Sequence, residues 1–321
     1  MKSLSAIALL AGWVLAAPPV PTAARAAGPQ KSARKVLPPR PMVTCAPQVT
    51  LSLNAATASQ GGLLLAELFA KVPLTEVQAH FDGEEIPSWE FDASRRSASK
   101  LWAWHAVVAV DLEKTPGDHA LTLAALNASG EKISCELNVL VTIGRFATES
   151  LKVAPQFVEP DPEQLARAKN EAQRLREIYS TVTPGKLWQG QFRIPLDGVT
   201  SGKNFGRRRV LNGEPSSPHT GVDFPAPTGT PVHAAQAGRV VLAEPLYFAG
   251  NTVVVDHGLG VYTLYGHLSE IAVKVGDDLS SGAILGKVGA TGRVTGPHLH
   301  WGLTITRAHV NALQIVALGP I

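Results

Sequence analysis

His298-Leu299-His300, His219 with Asp223 four residues on, and His267 are the residues of this chain whose types and spacing could do chemistry together. In a β-strand, side chains two positions apart share a face. His298 and His300 would then project both imidazoles into one space while Leu299 turns the other way. His219 and Asp223 lie in Pro-His-Thr-Gly-Val-Asp-Phe-Pro, where Gly221, Val222 and the flanking prolines argue against a helix. In a fully extended strand their Cα atoms would stand roughly 13 Å apart, near the limit for sharing one ion. Gly221 could supply a bend that brings both side chains to one point. His267, in Leu264-Tyr265-Gly266-His267-Leu268, is expected on the same strand face as Thr263 and Tyr265.

Imidazole nitrogens with one carboxylate suit zinc, and a catalytic zinc keeps three protein ligands with a fourth position for water. Five candidates exceed three, which leaves two imidazoles for proton transfer or transition-state stabilisation. Zn2+ brings the pKa of its bound water to about 7 and can polarise a scissile carbonyl, so the implied chemistry is hydrolysis near neutral pH. The elements that must position these side chains are strands. From Trp188 onward, alternating segments such as Gly238 to Ala243, Asn251 to Asp256 and Gly260 to His267 are separated by glycine-rich turns, with no helical pattern. A compact antiparallel β domain over 188–321 is predicted.

In order and spacing together, five motifs resemble the LytM/lysostaphin-type zinc endopeptidases of bacterial cell walls, over roughly Gln191 to Ile305. They are His219-Thr-Gly-Val-Asp223-Phe; Gly229-Thr-Pro-Val-His-Ala with Gly238; Tyr265-Gly-His267-Leu; Val275-Gly-Asp with Gly282; and Gly296-Pro-His298-Leu-His300-Trp. The resemblance implies that His219, Asp223 and His300 bind zinc while His267 and His298 act on the water and the oxyanion. It also implies a peptidoglycan substrate, cut at a peptide bond of a stem-peptide crosslink or bridge. Some members of that family carry a tyrosine shortly before the first zinc histidine, and Val210 to Pro218 contains none. Relatives that have lost ligands act as amidase activators or scaffolds. All five residues are kept here, so activity is expected over a non-catalytic regulator or wall-binding scaffold. Val273-Lys-Val-Gly-Asp-Asp-Leu with Gly282 is also similar to the hairpins of lipoyl and biotinyl domains, but no Met-Lys-Met or similar turn, where those domains present a lysine for modification, occurs here.

Upstream, the pattern from about Met42 to Ile143 is one of short alternating strands, so the fold class is mainly β, with an immunoglobulin-like β-sandwich predicted over 42–145. Ile133, Cys135, Leu137, Val139 and Val141 alternate with polar residues, and Val43, Cys45, Val49, Leu51 and Leu53 read the same way. Cys45 and Cys135 thus face inward on the first and last strands, where they could bridge the ends of the domain or stay as buried thiols. A segment over 146–187 joins the two domains and holds the chain's one convincing helix, 161–180. Asp161 is a good N-cap, Pro162 fits the first helical position, and Leu165, Ala168, Ala172, Leu175 and Ile178 recur at helical spacing. Its expected role is a connector that sets the spacing of the domains.

At the start, Lys2 and the apolar stretch Leu4 to Ala17 lead to Ala24-Arg25-Ala26, the pattern of a signal peptide over 1–26, followed by a Pro-, Lys-, Arg- and Ala-rich linker over 27–41. The apolar run is shorter than the ~20 residues that span a bilayer and is interrupted by Pro18, Pro19 and Pro21. Export to the periplasm, or to the extracellular medium or cell wall, is expected, with no membrane span in the mature chain. A formal charge of +3, spread apart from Arg207-Arg208-Arg209, is too small to argue for nucleic acid. Arg207 and Arg208 could instead line a groove and meet substrate carboxylates.

Overall fold

A computed structural model describes residues 40–90, 101–158 and 160–321. The expected signal peptide and nearly all of the 27–41 linker lie outside the described residues. Among the described residues, no helix is long and apolar enough to cross a membrane.

The N-terminal half is built from two five-stranded sheets. One runs β1 (Met42–Ala46), β2 (Val49–Leu53), β4 (Leu63–Ala70), β8 (Trp102–Ala109) and β7 (Ser88–Glu90), in that spatial order. The other runs β3 (Thr57–Ser59), β10 (Lys132–Thr142), β9 (Gly117–Asn127), β5 (Leu74–Phe81) and β6 (Glu84–Ile86). Leu51, Leu68 and Val108 of the first sheet and Leu121, Leu123, Val139 and Val141 of the second are buried in one shared cluster. Strand alternation accounts for it: in β10 Ile133, Cys135, Val139 and Val141 point in while Lys132, Ser134 and Glu136 stay exposed. Cys45 and Cys135 are joined in a disulfide with Cα atoms 5.0 Å apart.

Two strands of the first sheet bury both faces. Leu64, Ala66 and Leu68 of β4 and Ala106 and Val108 of β8 face the second sheet. Leu63 of β4 with Val107 and Ala109 of β8 belong instead to the cluster that fills the C-terminal half. The two halves therefore share a core. Trp89 packs edge-on to Trp188 at 5.2 Å between ring centroids, and the Lys186 ammonium lies 5.4 Å from both rings. Backbone contacts close the seam. The Leu63 amide donates to Gln314 Oε1 (2.7 Å), the Asn311 amide to the Gly61 carbonyl (2.8 Å) and the His309 amide to Asp111 Oδ2 (2.8 Å).

The C-terminal half centres on an antiparallel sheet of β14 (Gly221–Pro225), β22 (His298–Ile305), β18 (Val261–Leu268), β17 (Gly250–Asp256), β16 (Gly238–Leu246) and β20 (Asp278–Leu279), with β23 (Ala308–Val310) paired to β22. A three-stranded sheet of β15 (Pro231–His233), β21 (Ile284–Lys287) and β19 (Glu270–Ile271) lies beside it. A third small sheet joins the preceding segment to this half: β11 (Thr148–Leu151) runs parallel to β12 (Arg208–Leu211), which pairs with β13 (Glu214–Ser216).

Helix α1 (Pro162–Ser180) begins as the sequence indicates, with Asp161 accepting the Gln164 amide. It is not a free spacer. Tyr179, with Leu175 and Ile178 beside it, packs on Leu242, Leu246, Val254 and Tyr262 of the C-terminal sheet. Arg167 donates to the Pro245 carbonyl (3.0 Å), and the Tyr247 amide donates to Glu171 (2.7 Å). The apolar stripe read from the sequence needed a partner, and β16, β17 and β18 supply it. A second, short helix, α2 (Ala312–Ala317), was not expected from the sequence; Asn311 caps it by accepting the Leu313 amide. Six residues are too few for a periodicity to declare itself.

His257 is fully buried at the end of β17. Its Nδ1 donates to the Ala237 carbonyl (2.7 Å), so its Nε2 is the acceptor that faces the Thr263 hydroxyl (2.8 Å). Burial pushes this imidazole down to about 4. In the unfolded chain it takes up its proton near 6.5, so the stability it contributes is complete above that pH and is lost as pH falls from 6.5 to about 4. We expect unfolding in urea, followed in the presence of chelator, to lose on the order of 3 kcal/mol from this residue across that window. A His257→Gln variant should show a visibly shallower pH slope. Identical slopes would assign the acid sensitivity to other groups.

Candidate metal centre

Asp223 stands in the middle of β14, directly across the ladder from His300 of β22. Its neighbours Val222 and Phe224 point into the core, so alternation sends the Asp223 carboxylate to the opposite face. The same rule on β22 buries Leu299 and Trp301 and turns His298 and His300 outward on the Asp223 side. His219 precedes β14 in a loop tied to the 204–207 turn: the Gly206 amide donates to the His219 carbonyl (2.8 Å) and the His219 amide to the Arg207 carbonyl (2.9 Å).

Three ligand-capable atoms converge. His219 Nε2 is 3.0 Å from Asp223 Oδ1, His300 Nδ1 is 3.1 Å from the same oxygen, and the two imidazole nitrogens are 2.9 Å apart. The donor set fits one cation on two counts. First, His219 Nδ1 lies 2.9 Å from the Asn204 carbonyl, which can only accept, so Nδ1 carries the hydrogen and Nε2 presents a lone pair toward a carboxylate. Two acceptors at 3.0 Å repel unless a positive charge lies between them. Second, a tetrahedral ion with bonds of about 2.0 Å holds its donors roughly 3.3 Å apart, close to the spacings here. His219, Asp223 and His300 are thus the residues that could hold a metal ion.

Charges around the group follow from burial and hydrogen bonding. Burial pushes His219 down to about 4. Burial alone would raise the Asp223 carboxyl, but the His219 and His300 rings beside it outweigh burial and hold the group well below the usual carboxylate range. Asn204 adds a third contact, its Nδ2 donating to Asp223 Oδ2 (3.1 Å).

His267 and His298 flank this trio, with ring centroids 4.8 Å apart and His267 5.8 Å from His300. Each gives its Nδ1 hydrogen to a backbone carbonyl, His267 to Thr291 (2.8 Å) and His298 to Gly296 (2.9 Å), which fixes Nε2 as the free nitrogen. His298 Nε2 lies 3.7 Å from Asp223 Oδ1. Burial first, then the neighbouring His300 and His298, pushes His267 down to about 3. His267 does not share a face with Thr263 and Tyr265, contrary to the expectation from strict alternation. Tyr265 and Thr263 point into the core, where the Tyr265 hydroxyl accepts the Ala235 amide (2.8 Å). The reason is local: β17 and β18 slip register between Asn251 and Val253, and His267 has φ 62°. A left-handed backbone at a non-glycine residue costs energy, and at this position it turns the imidazole to the His300 side.

Gly221 has a different role from the bend suggested by the sequence. It is the first residue of β14, paired with Gly302, and what it provides is room. A Cβ there would fall 2.5 Å from His300 Cε1, 2.6 Å from its Nε2 and 2.9 Å from the Trp301 carbonyl oxygen. Gly221→Ala is therefore expected to displace the His300 ring and weaken metal affinity about 10- to 100-fold, as measured by competition with a chelator. An unchanged affinity would mean that the ring can move without losing the ion.

The remaining histidines stand apart from the group. His105 faces Glu67 (3.7 Å), His119 contacts Asp82 (2.5 Å), His233 contacts the Gly282 carbonyl (2.9 Å) and His309 contacts Thr304 (3.2 Å). Of the three consecutive arginines, Arg207 is paired with Glu149 (2.9 Å) and Arg208 lines a separate cavity with Phe146 and Glu113. Arg209, which the sequence did not single out, lines that cavity and the histidine groove as well. That groove, of about 870 Å3, is lined by His219, His267 and His300, by Arg209 and Arg293, and by Ala168 and Ala172 of α1.

Residues 217–312 match the model of Peptidase family M23. The Vibrio cholerae protein named peptidoglycan DD-endopeptidase ShyA is 48% identical over 124 residues, covering 38% of this chain and 29% of its own length. The Neisseria meningitidis DD-carboxypeptidase/endopeptidase Mpg is 41% identical over 102 residues, 32% of this chain and 24% of its own length. The chain thus spans less than a third of the length of these curated relatives. A solved structure from Pseudomonas aeruginosa described as a peptidase M23 is 28% identical with a TM-score of 0.58, and the match covers 80% of this chain and 94% of that one. His219, Asp223, His267, His298 and His300 all fall within 217–312, and this part of the chain is a peptidase family M23 domain.

Proposed function

We propose that this chain is a zinc-dependent endopeptidase that hydrolyses peptide bonds in the stem-peptide crosslinks or bridges of bacterial peptidoglycan, working in the periplasm or at the cell wall. The observation that carries the reading is the convergence of His219 Nε2, Asp223 Oδ1 and His300 Nδ1 at mutual distances of 2.9–3.1 Å, with two further imidazoles on the same face. The relatives named as peptidoglycan DD-endopeptidases support the substrate, and the two-imidazole, one-carboxylate donor set suits zinc.

His219, Asp223 and His300 would hold the ion, which when bound supplies Lewis acidity toward the scissile carbonyl and acidifies water. His267 accepts a proton from the attacking water at Nε2, because the Thr291 carbonyl keeps its hydrogen on Nδ1 and burial keeps the ring neutral. His298, once protonated at Nε2, donates to the negative charge that develops on the carbonyl oxygen. Asp223 Oδ1 lies 3.7 Å from that nitrogen. The shared core with the N-terminal sheets and the docking of α1 pack the groove walls against the rest of the chain.

The test is incubation of the chain with isolated peptidoglycan, after chelation and then with zinc restored, with the released fragments sequenced by mass spectrometry. New peptide termini that require zinc are expected. If zinc is bound and no peptide bond is cut, the endopeptidase reading fails and a non-catalytic regulator takes its place.

A further inference from the structure

Two arginines, Arg209 and Arg293, face the histidine groove; the charges of Asp223 and Glu149 act on Arg209, but neither carboxylate is hydrogen-bonded to it. Arg209, on β12, has its Nε fully buried with no hydrogen-bond partner. The Asp223 Oδ2 atom is 4.0 Å from its Nη2, beyond hydrogen-bond reach, and that carboxylate is already engaged by His219, His300 and Asn204. Arg293 stands on the loop before β22, where its amide donates to the Phe248 carbonyl (2.9 Å) and its guanidinium carbon lies 4.4 Å from the centre of the Phe248 ring. Burial, and then the positive charge of Arg209, pushes Arg293 down to about 10, so the two cations feel one another across the groove. Among the described lining residues the one acidic side chain is the exposed Glu214.

A half-buried guanidinium with an unfilled donor is costly alone, and a second cation in its field adds to the cost. Both costs fall when an anion with two oxygens enters, since a guanidinium presents a planar fork of donors matched to a carboxylate. The Arg293 guanidinium lies against the Phe248 ring and the Arg209 backbone is paired in the β11–β12–β13 sheet, which limits the freedom lost on binding. Arg209 also lies beside Asp223, so an anion held there is close to the site of chemistry.

We propose that Arg209 and Arg293 form a carboxylate-recognition subsite, which makes the preferred substrate a peptide bearing a free carboxylate close to the bond that is cut. This rests on the endopeptidase reading and adds the substrate class to it. Arg209 and Arg293 act in specificity, and their effect belongs mainly in KM.

The test compares peptides isolated from peptidoglycan with the same peptides after their carboxyl groups have been converted to amides. The wild-type chain should lose about tenfold or more in kcat/KM on amidation, chiefly through KM. Arg293→Gln and Arg209→Gln should be slower on the native peptides and nearly indifferent to amidation. Arg293→Lys, which keeps the charge, should retain part of the preference. Equal wild-type rates on the two forms, or an undiminished amidation penalty in both glutamine variants, would overturn the subsite. If the wild type cuts neither form, it is the endopeptidase reading that falls. The subsite is then judged by calorimetric binding of the two peptide forms, where equal affinities would sink it.

Discussion

Replacing His300 with Ala is expected to abolish both zinc binding and hydrolysis, whereas His267→Ala should keep the ion and lose turnover. The difference follows from where each nitrogen points. His300 Nδ1 lies 2.9 Å from His219 Nε2 and 3.1 Å from Asp223 Oδ1, so its removal leaves two donors, one short of the three protein ligands that a catalytic zinc keeps. His267 stands outside that triangle, its ring centroid 5.8 Å from that of His300 and its Nδ1 bound to the Thr291 carbonyl. Loss of a positioned general base slows turnover by about 10²- to 10⁴-fold without removing a ligand. Zinc content by elemental analysis and peptide release from peptidoglycan, measured on both variants, separate the two effects. Equal zinc loss in His300→Ala and His267→Ala would contradict this division of roles.

Opening the Cys45–Cys135 bridge is expected to cost about 4 kcal/mol of stability, on the chain-entropy account of so long a closed loop. The two cysteines are 90 residues apart in sequence and tie β1 to β10, so the bridge joins the two sheets near the ends of the N-terminal half. Denaturant unfolding of the wild type against a Cys45→Ala, Cys135→Ala double variant, with zinc present throughout, measures the cost. The loss should not stay within the N-terminal half. Leu63, Val107 and Ala109 are buried with Phe224, Trp301 and Leu303 of the catalytic sheet in one cluster, so unfolding should remain a single transition displaced to lower denaturant. Two separated transitions would show that the shared core does not couple the halves.

That coupling was the part of the fold least legible in the sequence. Strand alternation exposed the inward face of β10 correctly, because one side of that strand meets solvent. In β4 and β8 the runs Leu63-Leu64-Leu65-Ala66 and Ala106-Val107-Val108-Ala109-Val110 are apolar on both faces. An uninterrupted apolar run is the mark of a strand covered on both sides, and it was the available sign that the sandwich is packed against a second layer. It could not say which layer. Helix α1 was legible in its cap and its stripe, but the surface that receives the stripe is made of β16, β17 and β18, roughly 60 to 90 residues further on.

The candidate site divides in the same way. The sequence by itself determined the donor types and the order of the motifs, and on β22 it also determined the geometry, because a two-residue spacing on a strand admits one outcome. Tertiary structure decided the rest. His219 reaches Asp223 through a loop anchored on Asn204 and Arg207, and His267 reaches the group through a register slip and a left-handed backbone. The carbonyls of Asn204, Thr291 and Gly296, which set the hydrogen on each imidazole, leave no residue-type signature because every residue has one. Gly221 and Arg209 show the same limit. One is needed for the space beside His300 and the other for the face of β12 it occupies, and both depend on neighbours distant in the chain. Local spacing determines which side chains share a strand face; only the packing of strands from separate parts of the chain determines which faces meet.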